Sequence, residues 1–171
     1  MIVTISGLTG CGKNTLGELL SKELGYKLVC PTFKDLAKKE GVSLLEFQKM
    51  ATRDPNIDKK FDDLLQEKAK GNCVVTTWLG PWMLEPNVCI KLFAPLEVRA
   101  ERVARRDGMK FEKALEHVKE RDNNNRKRYK KIYGIEIDDS TIFDACLNSG
   151  VYESKKLLEI SLEIIKQKMG G

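Results

Sequence analysis

Five short apolar segments recur along the chain, at Ile2–Ser6, Lys27–Cys30, Cys73–Trp78, Val88–Ala94 and Ala145–Asn148. Several are nearly continuous in Val, Ile, Leu and Cys, the pattern of strands covered on both faces of a parallel sheet. Between them the apolar period lengthens to that of amphipathic helices. Leu16, Leu19, Leu20 and Leu24 form one stripe, and Phe111, Leu115 and Val118 a second. Leu158, Leu162, Ile165 and Met169 form a third, on a helix that starts near Glu153. Ser43 and Glu46 read as a capping box, and Asp54-Pro55 as the N-cap and first-turn proline of the next helix. Strand–helix alternation over 171 residues predicts a single α/β domain of three layers. The expected architecture is a five-stranded parallel sheet with helices on both faces.

The first strand runs into Gly7-Leu8-Thr9-Gly10-Cys11-Gly12-Lys13-Asn14, followed at once by the Leu16–Leu24 stripe. This matches the phosphate-loop pattern GxxxxGK[ST] except at its last position. Glycines let backbone N–H groups curl around phosphate oxygens, and the helix N-terminus adds its dipole. Lys13 supplies a mobile charge for the β- and γ-phosphates. A Ser or Thr hydroxyl at the last position ordinarily ligates Mg²⁺, and here Asn14 offers a carboxamide oxygen instead. The bland alternative is a tight glycine turn between strand and helix.

The net charge of +5 is unevenly placed: residues 96–133 hold thirteen Lys or Arg against seven Asp or Glu, a net of +6. The rest of the chain therefore sums to −1. A basic segment on a neutral body suits an anionic ligand, although a solvated helix face reads the same way. Arg99, Arg102 and Arg106 share one helical face after Ala94-Pro95. Asp107-Gly108 breaks that helix, and Arg121, Asn125 and Arg128 share a face of the next. Two arginine-bearing helices joined by a short turn are expected to close over a phosphate chain.

Composition excludes several classes. The longest apolar stretches are five or six residues, too short to span a membrane as a helix. MIVTISG has neither the basic start nor the long apolar core of a signal peptide. The five cysteines include no CxxC pair, and one histidine, His117, leaves zinc without a ligand set. Cys73 and Cys89, in apolar contexts, read as buried thiols of a cytoplasmic protein. His117 reads as a surface residue. Trp78 at a strand's end reads either as packing or as a stacking surface for a base.

On these residues the chain resembles the P-loop nucleoside monophosphate kinases, closest to the archaeal-type cytidylate kinases. The resemblance spans nearly the whole length. It rests on MIVTISGLTGCGKNTLGELLSKELG, on Asp54–Asp58, on Ala94–Gly108, on Glu120–Asp139 and on the late Leu147-Asn148-Ser149. It implies a P-loop NTPase fold with acceptor-binding helices over about 31–70 and an arginine-rich helical lid over about 96–133. It implies transfer of the ATP γ-phosphoryl group to CMP or dCMP, with Mg²⁺. Carried over by position, Gly7, Leu8, Thr9, Gly10, Cys11, Gly12, Lys13, Asn14 and Thr15 surround the ATP phosphates. Arg102 lies against adenine and Arg106 reaches phosphates. Lys13, Arg121 and Arg128 form the catalytic group, the two arginines bridging donor and acceptor phosphates. Lys34, Asp58, Trp78, Asp122 and Arg128 fall on the acceptor, and Asn14 on the metal. In this chain Thr76-Thr77 stands where the family pattern carries an acidic residue, Trp78 where it carries an acceptor-binding Arg, and Lys34 in place of Arg. These departures motivate alternatives: a catalytically weakened nucleotide-binding protein acting as sensor or partner, or a kinase for a different acceptor. A nucleic-acid-binding module ranks last, because no aromatic-rich RNA motif or helix-turn-helix pattern accompanies the basic segment. The expected partners are small nucleotides, with no membrane and no nucleic acid. The oligomeric state is left open.

Overall fold

The computed structural model describes residues 1–170 other than 44–45, 48–49, 51–53 and 55, and at 33 and 34 the backbone alone. Pro55 and the side chain of Lys34, both singled out above, therefore lie outside the described residues.

The strands are β1 (Ile2–Gly7), β2 (Lys27–Val29), β3 (Cys73–Thr76), β4 (Val88–Phe93) and β5 (Ala145–Asn148). They form one sheet in the order β2-β3-β1-β4-β5, with every pair parallel. β3 ends two residues sooner than the apolar run, because Trp78 and Thr77 turn into the loop above the sheet. The helices are α1 (Lys13–Leu24), α2 (Phe33–Lys39), α3 (Asn56–Lys68), the short α4 (Gly80–Met83), α5 (Leu96–Asp107), α6 (Phe111–Tyr133) and α7 (Ser154–Met169).

The core follows the strand alternation. Val3, Ile5, Val74 and Ile90 pack with Leu16 and Leu20 of α1 and Leu157 and Ile165 of α7. On the opposite face Val29, Cys73 and Val75 meet Leu65 of α3. These are the three layers the alternation predicts. The last stripe needs correction: Leu157 and Ser161 are buried beside Ile165, whereas Met169 is half exposed. Phe111 is likewise exposed, and α6 instead buries Ala114, Val118 and Asp122, spaced four apart. Ala114 and Val118 pack on Val103 of α5, so the two arginine-bearing helices have a small core of their own.

Caps fix where the helices between β2 and β3 begin. Thr32 and Asp35 form a reciprocal capping box at α2. Ser43 and Glu46 form another: the Ser43 N–H donates to the Glu46 carboxylate at 3.0 Å, and the Glu46 N–H donates to Ser43 Oγ at 3.2 Å. Asp54 accepts from the Asn56 N–H at 2.9 Å at the start of α3. Cys11, Cys73 and Cys89 are buried thiols, whereas Cys146 on the edge strand β5 is exposed. No helix among the described residues is long and apolar enough to cross a membrane.

Candidate active site

The phosphate loop joins β1 to α1 at the C-terminal end of the sheet. Its glycines answer to close approach. A Cβ at Gly7 would lie 2.3 Å from the Leu92 carbonyl oxygen, and one at Gly10 (φ +78°) 2.6 Å from that of Arg99. The loop is thus pressed against β4 and α5 by its backbone. Its carbonyls turn outward, each with a donor. Arg99 donates to Thr9 O at 2.9 Å, Arg102 to Gly10 O at 3.5 Å, and Ser149 Oγ to Cys11 O at 2.7 Å. The N–H groups of Gly10, Gly12, Lys13 and Asn14 find no acceptor among the described residues. That arrangement is an anion cradle at a helix N-terminus.

Beside the loop opens a cleft of about 710 Å³, bounded by the end of β3, by α3 and by α6. Lys13 lines it, 5.5 Å from the centre of the Trp78 ring. Burial pushes the Lys13 ammonium below its ordinary pKa, and the positive charge of Arg121 works in the same direction. An anion entering the cleft relieves both effects. Trp78 also meets Tyr129 of α6, with ring centroids 6.2 Å apart. Burial first pushes the Tyr129 phenol up to about 12.

Of the predicted site residues, Thr9, Gly10, Lys13, Asn14, Asp58, Trp78, Arg106, Arg121 and Arg128 all border this cleft. Arg128 and Asp58 are paired, the Arg128 Nε donating to the carboxylate at 2.9 Å. Arg121 makes no hydrogen bond or ion pair with a described residue. Arg106 is half turned to solvent, bonded in a fork to the neighbouring Asp107 at 2.7 Å. Arg102 lies behind the loop, donating to Ser149 O at 2.6 Å.

Other expectations are corrected. Asp122 does not border the cleft. It is 2% exposed and accepts from the Thr9 N–H at 3.2 Å and from Arg99 at 2.6 Å. Arg99, at the start of the helical face it shares with Arg102 and Arg106, is buried in the same contact, whereas Arg106 is turned to solvent. The α6 residues four apart from Ala114 and Val118 point inward, which carries Asp122 to the loop. Cys11 is fully buried and offers the loop only its backbone, and Thr15 faces outward.

Sequence reasoning missed Asp62, Tyr129 and Tyr133, which also line the cleft. Tyr133 donates to the Asp62 carboxylate. Burial raises the pKa of Asp58 and of Asp62, opposed by the hydrogen bonds from Arg128 and Tyr133 respectively. The signal was present: Asp58 and Asp62 lie four apart on α3, as do Tyr129 and Tyr133 on α6. The structure also separates two threonines. Both border the cleft, but Thr77 accepts from the Gly80 N–H at 2.8 Å, whereas the buried Thr76 hydroxyl has no partner. The Thr76 methyl occupies the space left by Gly17, where a Cβ would come within 2.1 Å.

The sheet order, the phosphate loop and the paired helices above it define a P-loop kinase. The fold compares with shikimate kinase from Acinetobacter baumannii at TM-score 0.64, with 14% identity over 97% of this chain and 93% of that one. It compares with the Aquifex aeolicus shikimate kinase at TM-score 0.61, with 22% identity over both whole chains. Residues 2–151 match the Cytidylate kinase-like family. A cytidylate kinase of Pyrobaculum neutrophilum is 43% identical over 96% of this chain and 92% of its own length. One from Ignicoccus hospitalis is 40% identical over 92% and 95%. The chain belongs to the cytidylate kinase-like family and is a nucleoside monophosphate kinase.

Proposed function

We propose that the protein transfers the γ-phosphoryl group of ATP to CMP or dCMP. The observation that carries this reading is one cleft holding Lys13 and the open loop amides on one wall, Arg121 and Arg128 on another, and Asp58 and Asp62 on the acceptor side. ATP phosphates rest on the N–H groups of Gly10, Gly12, Lys13 and Asn14. An acceptor phosphate oxygen attacks the γ-phosphorus as the bond to the bridging β–γ oxygen breaks, and ADP leaves. Charge on the transferring group is met by Lys13, Arg121 and Arg128, so the chain acts by positioning and electrostatics. Trp78 offers a ring face beside this path.

The residues present fit a magnesium ion through neutral oxygens. The Asn14 carboxamide is exposed at the cleft, and the Thr76 hydroxyl is buried there without a partner. Among the described residues no cluster of three acidic, His or Cys groups offers an alternative. When bound, the ion neutralises charge on the β- and γ-phosphate oxygens.

A coupled ADP-release assay with ATP, Mg²⁺ and each of CMP, dCMP, UMP, AMP and GMP tests the proposal. Turnover is expected with the cytidine nucleotides foremost. ATP binding without turnover on any acceptor overturns it in favour of a nucleotide-binding protein.

A further inference from the structure

We propose that Arg99 and Asp122 are positioning residues, which shape the phosphate loop for ATP by holding Thr9 at both of its backbone polar groups. The inference rests on the loop's reading as an ATP-phosphate site. Asp122 Oδ1 accepts from the Thr9 N–H at 3.2 Å, while Arg99 donates to the Thr9 carbonyl at 2.9 Å. The two side chains are joined at 2.6 Å, and Arg99 Nε also donates to Ala94 O at 3.1 Å. Two consecutive peptide planes are thereby fixed, with the Thr9 carbonyl outward, which leaves the next N–H groups facing the anion.

Stability alone does not account for this pair. Both residues are more than nine-tenths buried, and a buried ion pair contributes little against apolar residues of similar volume. Its geometry is specific instead. One partner comes from α5, the other from α6, and the target is the loop between β1 and α1. Asp122 also adjoins Arg121 along α6, so the contact that fixes Thr9 fixes the axial position of Arg121 relative to Lys13. Anchoring of this kind acts through the loop on ATP, and leaves the acceptor wall at α3 untouched.

The double variant Arg99→Met/Asp122→Leu removes the clamp without stranding a buried charge but leaves the buried Thr9 N–H and carbonyl without these partners, so it is expected to stay folded with a modestly lowered melting temperature. Its ATP dissociation constant, measured by calorimetry, is expected to rise about 10- to 100-fold, with that of CMP changing less than about threefold. In the free protein, amide exchange at Thr9 and Gly10 is expected to quicken about tenfold or more, while amides of α1 beyond Leu16 keep their rates. Arg99→Lys, which cannot span three acceptors, provides a second and milder variant with the same asymmetry. Unchanged exchange at Thr9 and Gly10 in either variant, or equal losses of ATP and CMP affinity, overturns the clamp. Failure of the wild type to bind ATP would instead remove the ATP reading, and the exchange rates would still decide the clamp.

Discussion

Arg128 of α6 closes on Asp58 of α3, with Nε 2.9 Å and a terminal nitrogen 2.7 Å from the carboxylate. One turn further along both helices, Tyr133 donates to Asp62. Two rungs therefore tie α6 to α3 across the cleft. Under the proposed function the Arg128 guanidinium would meet the donor and acceptor phosphates, since a planar fork can add a phosphate oxygen without abandoning its carboxylate. Arg121, seven residues earlier on α6, borders the same cleft with no described partner.

This difference separates the two arginines experimentally. Arg121→Ala is expected to lower kcat by about two to four orders of magnitude while ATP affinity changes less than about fivefold, because its charge meets the transferring group most strongly in the transition state. Arg128→Ala should show a comparable kcat loss and, in addition, leave the buried Asp58 carboxylate without this partner. Its melting temperature is expected to fall by roughly 5–10 °C, where that of Arg121→Ala stays near the wild type. Full kcat in both variants would dissolve the lid assignment.

Lys13→Ala is expected to abolish tight ATP binding with the fold intact. Burial already disfavours the ammonium and the like charge on Arg121 adds to this, opposed by Cys11, Cys30 and Asp122, while its nearest ring is Trp78. Removing it costs the free protein little, so the melting temperature should hold or rise slightly. Titration calorimetry that finds ATP affinity unchanged would detach Lys13 from the phosphate site.

The acidic wall carries a pH signature. Burial raises the Asp62 carboxyl above its ordinary value. In the window between the ordinary carboxylate range and that raised value, the folded chain holds more protons than the unfolded chain. Stability contributed by this group therefore falls as pH rises through the window. Asp62→Asn keeps an acceptor for Tyr133 and removes the buried charge. It is expected to melt ~2 °C above the wild type at pH 7–8, with the gap closing toward pH 4 as the wild-type carboxyl protonates. Its Michaelis constant for the acceptor is expected to rise. Melting curves that differ equally at every pH would refute the burial of this charge.

Much of this was legible in the sequence because it depends on local pattern. Strand positions, the phosphate loop and the Ser43–Glu46 cap follow from spacing of a few residues. Asp122 was legible as part of a motif but not as a loop anchor. Its inward direction depends on how α6 packs on α5, which the exposed Phe111 stripe misreported by one helical position. Asp62, Tyr129 and Tyr133 were passed over for the same reason. Polar residues at helical spacing on a charged helix look like a solvated face until another helix is laid against them. The two threonines at the end of β3 could be told apart only by structure, since one hydroxyl is taken by a turn and the other is left without a partner.

That last distinction sharpens the metal question. The Thr76 hydroxyl is buried at the cleft with no partner, and Asn14 stands at the first turn of α1 where the phosphate-loop pattern has a hydroxyl. Mg²⁺ prefers octahedral oxygen geometry and retains several waters, and ATP phosphates supply part of that shell. In the proposed metal site, neutral oxygens at Asn14 and Thr76 would hold it less firmly than a hydroxyl backed by a carboxylate. Half-activation is therefore expected at a higher free Mg²⁺ concentration than in a family member carrying that pair. Asn14→Thr restores the hydroxyl and should lower the midpoint about two- to fivefold, on the order of a few tenths to 1 kcal/mol of binding. Thr76→Glu should act in the same direction, because the Thr76 hydroxyl is unengaged at the cleft, whereas Thr77→Glu, though it also borders the cleft, would strip the Gly80 N–H of its acceptor and should not. If Asn14 instead serves ATP through its amide, Asn14→Thr weakens ATP binding and leaves the Mg²⁺ midpoint where it was. Titrating Mg²⁺ at fixed ATP in the wild type and the three variants distinguishes the two, and an unmoved midpoint in both Asn14→Thr and Thr76→Glu rules out the neutral metal shell.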